Sequence, residues 1–318
     1  MAVAKDVLRG LVDRGENDNL VSGPDGRLRQ FAKRGSGGRP DLVLPNLVAR
    51  LEDETGILWA EMQHGERACF TPALMRDGRA FQQHLRRLYA GFGPSEMPFR
   101  YLAWTSRAKG VWSLGGDLAT FTQLIRSGDR EGLRRYAHSS IDVLYDNYRA
   151  LDLPVLTVAV IEGDAVGGGF EAMVTNDLVI AEQGTKFGLP EILFNLFPGM
   201  GAYSFLRRRV GELVARRLIE DGRTRSAEEL HELGLVDLLV GRGEARDALR
   251  RLAQERAPRF RTDLTLRKMR SRVEPVTKSE LIDVVELWVE LAMELQEADL
   301  RRMDALARHQ ERRAVRAA

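Results

Sequence analysis

The stretch PVLTVAVIEGDAVGGGFEAMV, residues 154–174, constrains the fold of this 318-residue chain more than any other. Its first part, Pro154 to Gly163, is an almost continuous apolar run rich in β-branched residues. That is the pattern of a strand buried on both faces, since a strand with one wet face alternates apolar and polar positions. Three glycines, Gly167 to Gly169, then stand directly before Phe170 and Glu171, where a helix is predicted to open. Glycine in such a place costs conformational entropy. The usual returns are a tight turn, close packing of two elements, or close approach of the backbone to a ligand. Read alone, the triplet leaves a ligand-free strand-to-helix turn open.

The flanking sequence fits the same architecture. Leu47 to Met62 gives two short apolar runs broken by Glu54-Thr55-Gly56, as a hairpin would. Phe81, Leu85 and Leu88 are spaced like one helix face, residues 99–106 read as a strand, and 107–121 read as a loop. From Asp129 to Leu151, apolar residues recur every three or four positions, which predicts a long amphipathic helix stopped near Pro154. Residues 178–191 read as another strand and a loop, and beyond Val210 the chain reads as charged helix to its end. Strands alternating with helices, followed by a helical tail, argue for an α/β fold. Residues 1–44 are polar and glycine-rich and read as an N-terminal extension; 45–245 form the core, and 246–318 a C-terminal helical region.

Composition removes several function classes. A net charge of +2 provides no field for nucleic acid or an anionic membrane. One cysteine, Cys69, excludes an internal disulfide framework, and five scattered histidines show no metal-ligand spacing, so no metal is expected. No apolar run approaches the length of a membrane span or signal peptide, and a cytoplasmic location is expected.

The glycine triplet does not fit a nucleotide site: GDAVGGGFEA is not G-x-G-x-x-G, and Glu171 would repel phosphate. A backbone oxyanion hole suits it better, because a polar oxygen can approach bare glycine N–H groups closely. Gly115-Gly116 in SLGGDL supply a second candidate donor segment, although on these residues alone a plain turn is the favoured reading. Glu171 follows the triplet, and Glu191 lies twenty residues on, beyond a predicted helix and strand that can return the chain to the same edge. Two acids beside such a hole can divide proton transfers between them. On the residues alone, Glu171 also suits a helix N-terminus and Glu191 a solvated loop. Phe170, Phe194 and Phe197 are candidates for desolvating one glutamate, or ordinary core. Leu281, Val285, Trp288 and Met303 lie on an apolar stripe that packs a helix or, at Trp288, walls an acyl-chain pocket.

Residues 158–211, with SLGGDL upstream and 215–240 downstream, strongly resemble the crotonase, or enoyl-CoA hydratase, superfamily. The resemblance implies the crotonase spiral of repeated β-β-α units with a helical C-terminal region. It implies Glu171 and Glu191 as the catalytic pair and the N–H groups of Gly116 and Gly168 as oxyanion donors. Gly115, Gly167, Phe170, Phe194, Phe197 and Trp288 would contact substrate. Within the superfamily, residues 101–121, the NLFPGMGAYSFLRRRVG segment and the tail from Ser279 look most like the diffusible signal factor synthases. Those enzymes dehydrate medium-chain 3-hydroxyacyl thioesters and release cis-2-unsaturated fatty acids used in quorum sensing. No cofactor is then expected, since CoA or phosphopantetheine enters with the substrate. Partners implied are acyl carrier protein (for which the basic stretch 301–318 is a candidate contact), a homo-oligomer of trimer or dimer-of-trimers form, and a regulatory sensor kinase. Asn195 departs from the acid expected in the synthases. A trans-enoyl-CoA hydratase and a non-catalytic acyl-binding homologue are the alternatives.

Overall fold

The computed structural model describes residues 42–65 and 67–315. Residues 1–41 of the expected extension lie outside this range, and its last three form strand β1, Leu42–Leu44. A hairpin follows as expected, β2 Leu47–Glu52 and β3 Ile57–Met62. Helix α1, Pro72–Tyr89, starts cleanly because Thr71 caps it by accepting from Leu74 N and Pro72 presets the first turn.

From there the chain climbs in repeated turns, each laying one long strand in a main sheet and one short strand in a second sheet. The first turn is β4 Tyr101–Ser106 and β5 Val111–Ser113, then helices α2 Leu118–Arg126 and α3 Arg130–Tyr148. The second is β6 Leu156–Ile161, β7 Asp164–Val166 and α4 Gly168–Val174. The third is β8 Leu178–Glu182 and β9 Lys186–Gly188, with a 3-10 turn at Pro190–Phe194. Helices α5 Ala202–Val210 and α6 Glu212–Glu220 lead to β10 Arg225–Ser226, α7 Ala227–Glu232 and β11 Leu238–Val240. The remainder is α8 Ala245–Glu255, α9 Phe260–Val273, α10 Lys278–Met293 and α11 Glu297–Val315.

The main sheet runs β1-β2-β3-β4-β6-β8-β11, antiparallel among the first three strands and parallel thereafter. The second runs β10-β9-β7-β5. This is the crotonase α/β spiral. All six residues of β6 are buried, as its unbroken apolar run requires. Val158 and Val160 face one apolar core, beneath α8 and α9, while Ala159 and Ile161 face the larger one shared with α1 and α3. Full burial of a Val or Ile side chain stabilises by about 1.5–3 kcal/mol, so one charge on either face of β6 would break this sheet at its centre.

Three sequence expectations change here. The loop expected over 107–121 contains β5 and the start of α2, and Asp117 caps that helix by accepting from Thr120 N. The charged helical tail contains the short strands β10 and β11. The C-terminal end, whose basic composition reads as a solvated stretch, buries Ala307 on α11 as well as the expected Met303.

Candidate active site

Each glycine of the triplet meets a different constraint. Gly167 sits at φ 55° and ψ −129°, a conformation open to glycine and strained for other residues. Its N–H donates to Gly188 O at 2.8 Å, tying the turn to the end of β9. A Cβ on Gly168 would lie 2.0 Å from Met200 Cε and 3.2 Å from the Gly116 backbone nitrogen. One on Gly169 would lie 2.2 Å from Ser113 O of β5. The second glycine segment comes equally close: Gly115 has φ +85°, and a Cβ there would meet Gly168 N at 2.6 Å. The two backbones therefore run against each other with no side chain between them. Gly168 also opens α4, so its N–H belongs to the first turn, where helical amides have no partner within the helix.

Parallel pairing of β7 with β9, Val166 opposite Gly188, returns the chain to the edge it left. Glu171 on α4 and Glu191 on the 3-10 turn consequently line one cavity of about 590 Å³. Gly116, Gly167, Gly168, Phe194, Met200 and Trp288 line it too. Trp288 reaches in from α10 and meets Phe121 edge-on, ring centroids 5.2 Å apart.

Glu171 is 2% exposed, and its Oε1 accepts from Met200 N at 2.8 Å and Ala202 N at 3.1 Å. Burial raises its pKa to about 7, against the opposing pull of those two donors. The Glu191 residue is only partly buried, yet its Oε2 is fully enclosed and without a hydrogen-bond partner among the described residues. Its pKa is pushed well above the ordinary value, first by burial and then by the charge of Glu171. Like charges in one apolar space resist joint ionisation, so the pair holds a proton more strongly than carboxyls in water do.

Several expected contacts fall elsewhere. Phe170 packs behind α4 against Phe187, ring centroids 6.2 Å apart, and Phe197 packs on the main core; neither lines the cavity. Gly115 does not line it either, and acts by letting Gly116 and Gly168 approach. Of the three candidate phenylalanines only Phe194 lines it, beside Leu196, Phe121 and Trp288. Asn195 adopts φ 58°, a left-handed conformation that Asn tolerates better than most residues, and donates through Nδ2 to Asp299 of α11 at 2.8 Å. It ties two elements together and forms no wall of the cavity.

Met200 and Tyr136, both in the wall, carry no signal in the sequence. The Tyr136 hydroxyl donates to Phe70 O and accepts from Asp117 N at 3.3 Å, which explains a buried phenol on the α3 face. No group of three His, Cys, Asp or Glu among the described residues is placed to hold a metal ion, and no described helix is long and apolar enough to cross a membrane.

Comparison with known proteins gives the same architecture. The probable mitochondrial enoyl-CoA hydratase 2 of Arabidopsis thaliana is 35% identical over 150 residues, 47% of this chain and 48% of that protein. The chain spans about half or less of the length of the curated relatives it matches. An enoyl-CoA hydratase structure from Bacillus halodurans superposes with a TM-score of 0.64 at 20% identity, over 82% of this chain and 99% of that one. The structure of Pseudomonas aeruginosa DspI gives 0.60 at 24%, over 81% and 98%. At such identities these two likenesses carry the fold alone. Residues 100–316 match the family model described as enoyl-CoA hydratase/isomerase, and with that match over two thirds of its length the chain belongs to this family of the crotonase superfamily.

Proposed function

We propose that the cavity binds an acyl thioester and that Glu171 and Glu191 catalyse elimination of water across its Cα–Cβ bond, or the reverse addition. The observation that carries this reading is the pair of buried carboxyls with raised pKa values beside two bare glycine backbones. The thioester carbonyl oxygen accepts from the N–H groups of Gly116 and Gly168. As the α-proton leaves, negative charge builds on that oxygen, and fixed donors stabilise the enolate more than the ground state. One carboxylate takes the α-proton. The other, protonated, gives its proton to the departing β-hydroxyl, so water leaves and the Cα–Cβ double bond forms. Phe194 and Trp288 flank the chain and keep solvent from the enolate.

The finer reading is a dehydratase and thioesterase of the diffusible signal factor type, acting on medium-chain 3-hydroxyacyl chains carried by acyl carrier protein or CoA. Its support is the likeness of residues 101–121, 195–211 and the C-terminal helices to those synthases. Chemically, the same oxyanion donors serve the tetrahedral intermediate when water, deprotonated by a glutamate, attacks the carbonyl and the thiol departs. A trans-enoyl-CoA hydratase is the second reading, and the names of the curated relatives favour it.

One experiment decides between them. The protein is incubated with a medium-chain 3-hydroxyacyl carrier protein, and in parallel with the CoA thioester, and products are read by mass spectrometry. Free cis-2-enoic acid supports the synthase. A trans-enoyl thioester that accumulates unhydrolysed leaves the hydratase, and no turnover of either substrate overturns both.

A further inference from the structure

Beside the carboxylate cavity lies a second one, of about 600 Å³, and Met200 forms part of the wall of both. It lies between α1, α3 and the main sheet, with Leu74, Gly78, Leu144 and Trp104 among its walls. No charged side chain lines it. Most of its polar wall groups are turned into bonds of their own. Asn147 accepts from Trp104 Nε1 at 2.7 Å and donates to Thr175 Oγ1 at 2.9 Å, and Ser140 Oγ donates to Tyr136 O at 3.1 Å. Gln82 donates to Val143 O at 2.9 Å, leaving its Oε1 as the exception. The surface left facing the space is apolar.

Met200 stands between the two spaces in a particular way. Its backbone N–H is held by Glu171 Oε1, so the main chain is fixed to the carboxylate pair. Its side chain lies against the bare face of Gly168, the Cε methyl only 2.0 Å from where a Cβ would be. An alkyl chain passing from one space to the other needs the volume that this side chain fills. An unbranched thioether with three rotatable bonds can yield it by rotation, without moving the backbone.

We infer that Met200 is a gate, and that the alkyl chain of a long acyl thioester turns past it into the second cavity, whose depth sets the chain length accepted. This rests on the proposed thioester reading. An alkyl chain is the occupant because the walls provide contact area and almost no free hydrogen-bonding capacity.

Trp104 and Trp112 line the second cavity, whereas Trp288 lines the first and Trp59 lies in the other core. A Trp59→Phe/Trp288→Phe protein therefore reports on the chamber alone. Dodecanoyl-CoA carrying bromine at its terminal carbon should quench its fluorescence saturably, and unbrominated dodecanoyl-CoA should reverse the quenching. Gly78→Leu fills the chamber from α1, where a Cβ has its nearest neighbour, Val143 Cγ1, at 3.9 Å and leucine is a good helix former. That variant should lose the quenching. Its kcat/KM for a twelve-carbon substrate should fall at least about tenfold relative to a four-carbon one, since each methylene no longer buried loses about fourfold.

Saturable binding by calorimetry without quenching overturns the chamber and leaves the catalytic reading intact. Quenching without turnover of any 3-hydroxyacyl thioester keeps the chamber and overturns the catalytic reading. If no acyl-CoA binds, both fall.

Discussion

A carboxyl held at a pKa of about 7 weakens the fold above neutrality, and removing its charge should show by how much. The perturbation is Glu171→Gln, nearly isosteric, with an amide oxygen able to keep accepting from Met200 N and Ala202 N. In the unfolded chain Glu171 titrates near 4.5, and in the folded protein near 7. Below pH 4.5 it is protonated in both states, so wild type and variant should differ little. Between 4.5 and 7 the unfolded state gives up the proton while the native state keeps it, and wild-type stability falls as pH rises. Above 7 the deficit is complete. At about 1.4 kcal/mol per pH unit it reaches at most about 3 kcal/mol. Glutamine does not titrate, so the variant should gain that amount over wild type at pH 8 and almost none at pH 4.5. In a chain of this size about 3 kcal/mol corresponds to roughly 5 °C in Tm. The assay is urea unfolding, with thermal melts beside it, of both proteins at several pH values; taking their difference cancels every other titrating group. Because Glu191 shares the cavity and feels the charge of Glu171, the gains of Glu171→Gln and Glu191→Gln should not add in the double variant. A variant less stable than wild type at pH 8, or a difference that ignores pH, would refute the buried-charge argument.

The activity of the same two variants should fall by at least about 10²-fold each in dehydration, the usual contribution of a positioned proton-transfer group, with circular dichroism unchanged; near-wild-type turnover in either removes it from the mechanism. The acid limb of kcat/KM against pH should lie near neutrality, because the basic carboxylate is lost by protonation as pH falls below about 7. A limb at the ordinary 4.5 contradicts the raised pKa. Gly115→Ala should lower melting temperature and turnover together, since φ +85° disfavours a side chain and the new Cβ would meet Gly168 N at 2.6 Å. A strain of about 1–3 kcal/mol is expected, and an alanine variant of full stability and activity would mean that the two glycine backbones need not touch.

The long elements were legible in the sequence because periodicity needs length to show. The six buried residues of β6 form one unbroken apolar run, and the 19 residues of α3 repeat their helical pattern several times. The second sheet was not legible, since β5, β7 and β9 have three residues each and no periodicity fits in three. The glutamates and glycines stood out because a carboxylate beside consecutive glycines is expensive without a purpose. Phe170 misled for the opposite reason: an aromatic next to a site residue in sequence points elsewhere on a helix, while Trp288, far along the chain, is brought back by α10.

Met200 shows where reading from sequence stops. A methionine is a common core filler, and nothing in GMGAY marks it. Its place follows from two long-range facts. The glycine triplet leaves a bare face at Gly168, and Glu171 draws the 200–202 backbone across that face through two hydrogen bonds. The carboxylate that makes the site reactive therefore also positions the side chain that divides it from the neighbouring space. Glu171→Ala, which unlike glutamine keeps neither bond, should disturb both chemistry and chain-length preference, whereas replacing Glu191, which makes no bond to that segment among those described, should disturb chemistry alone.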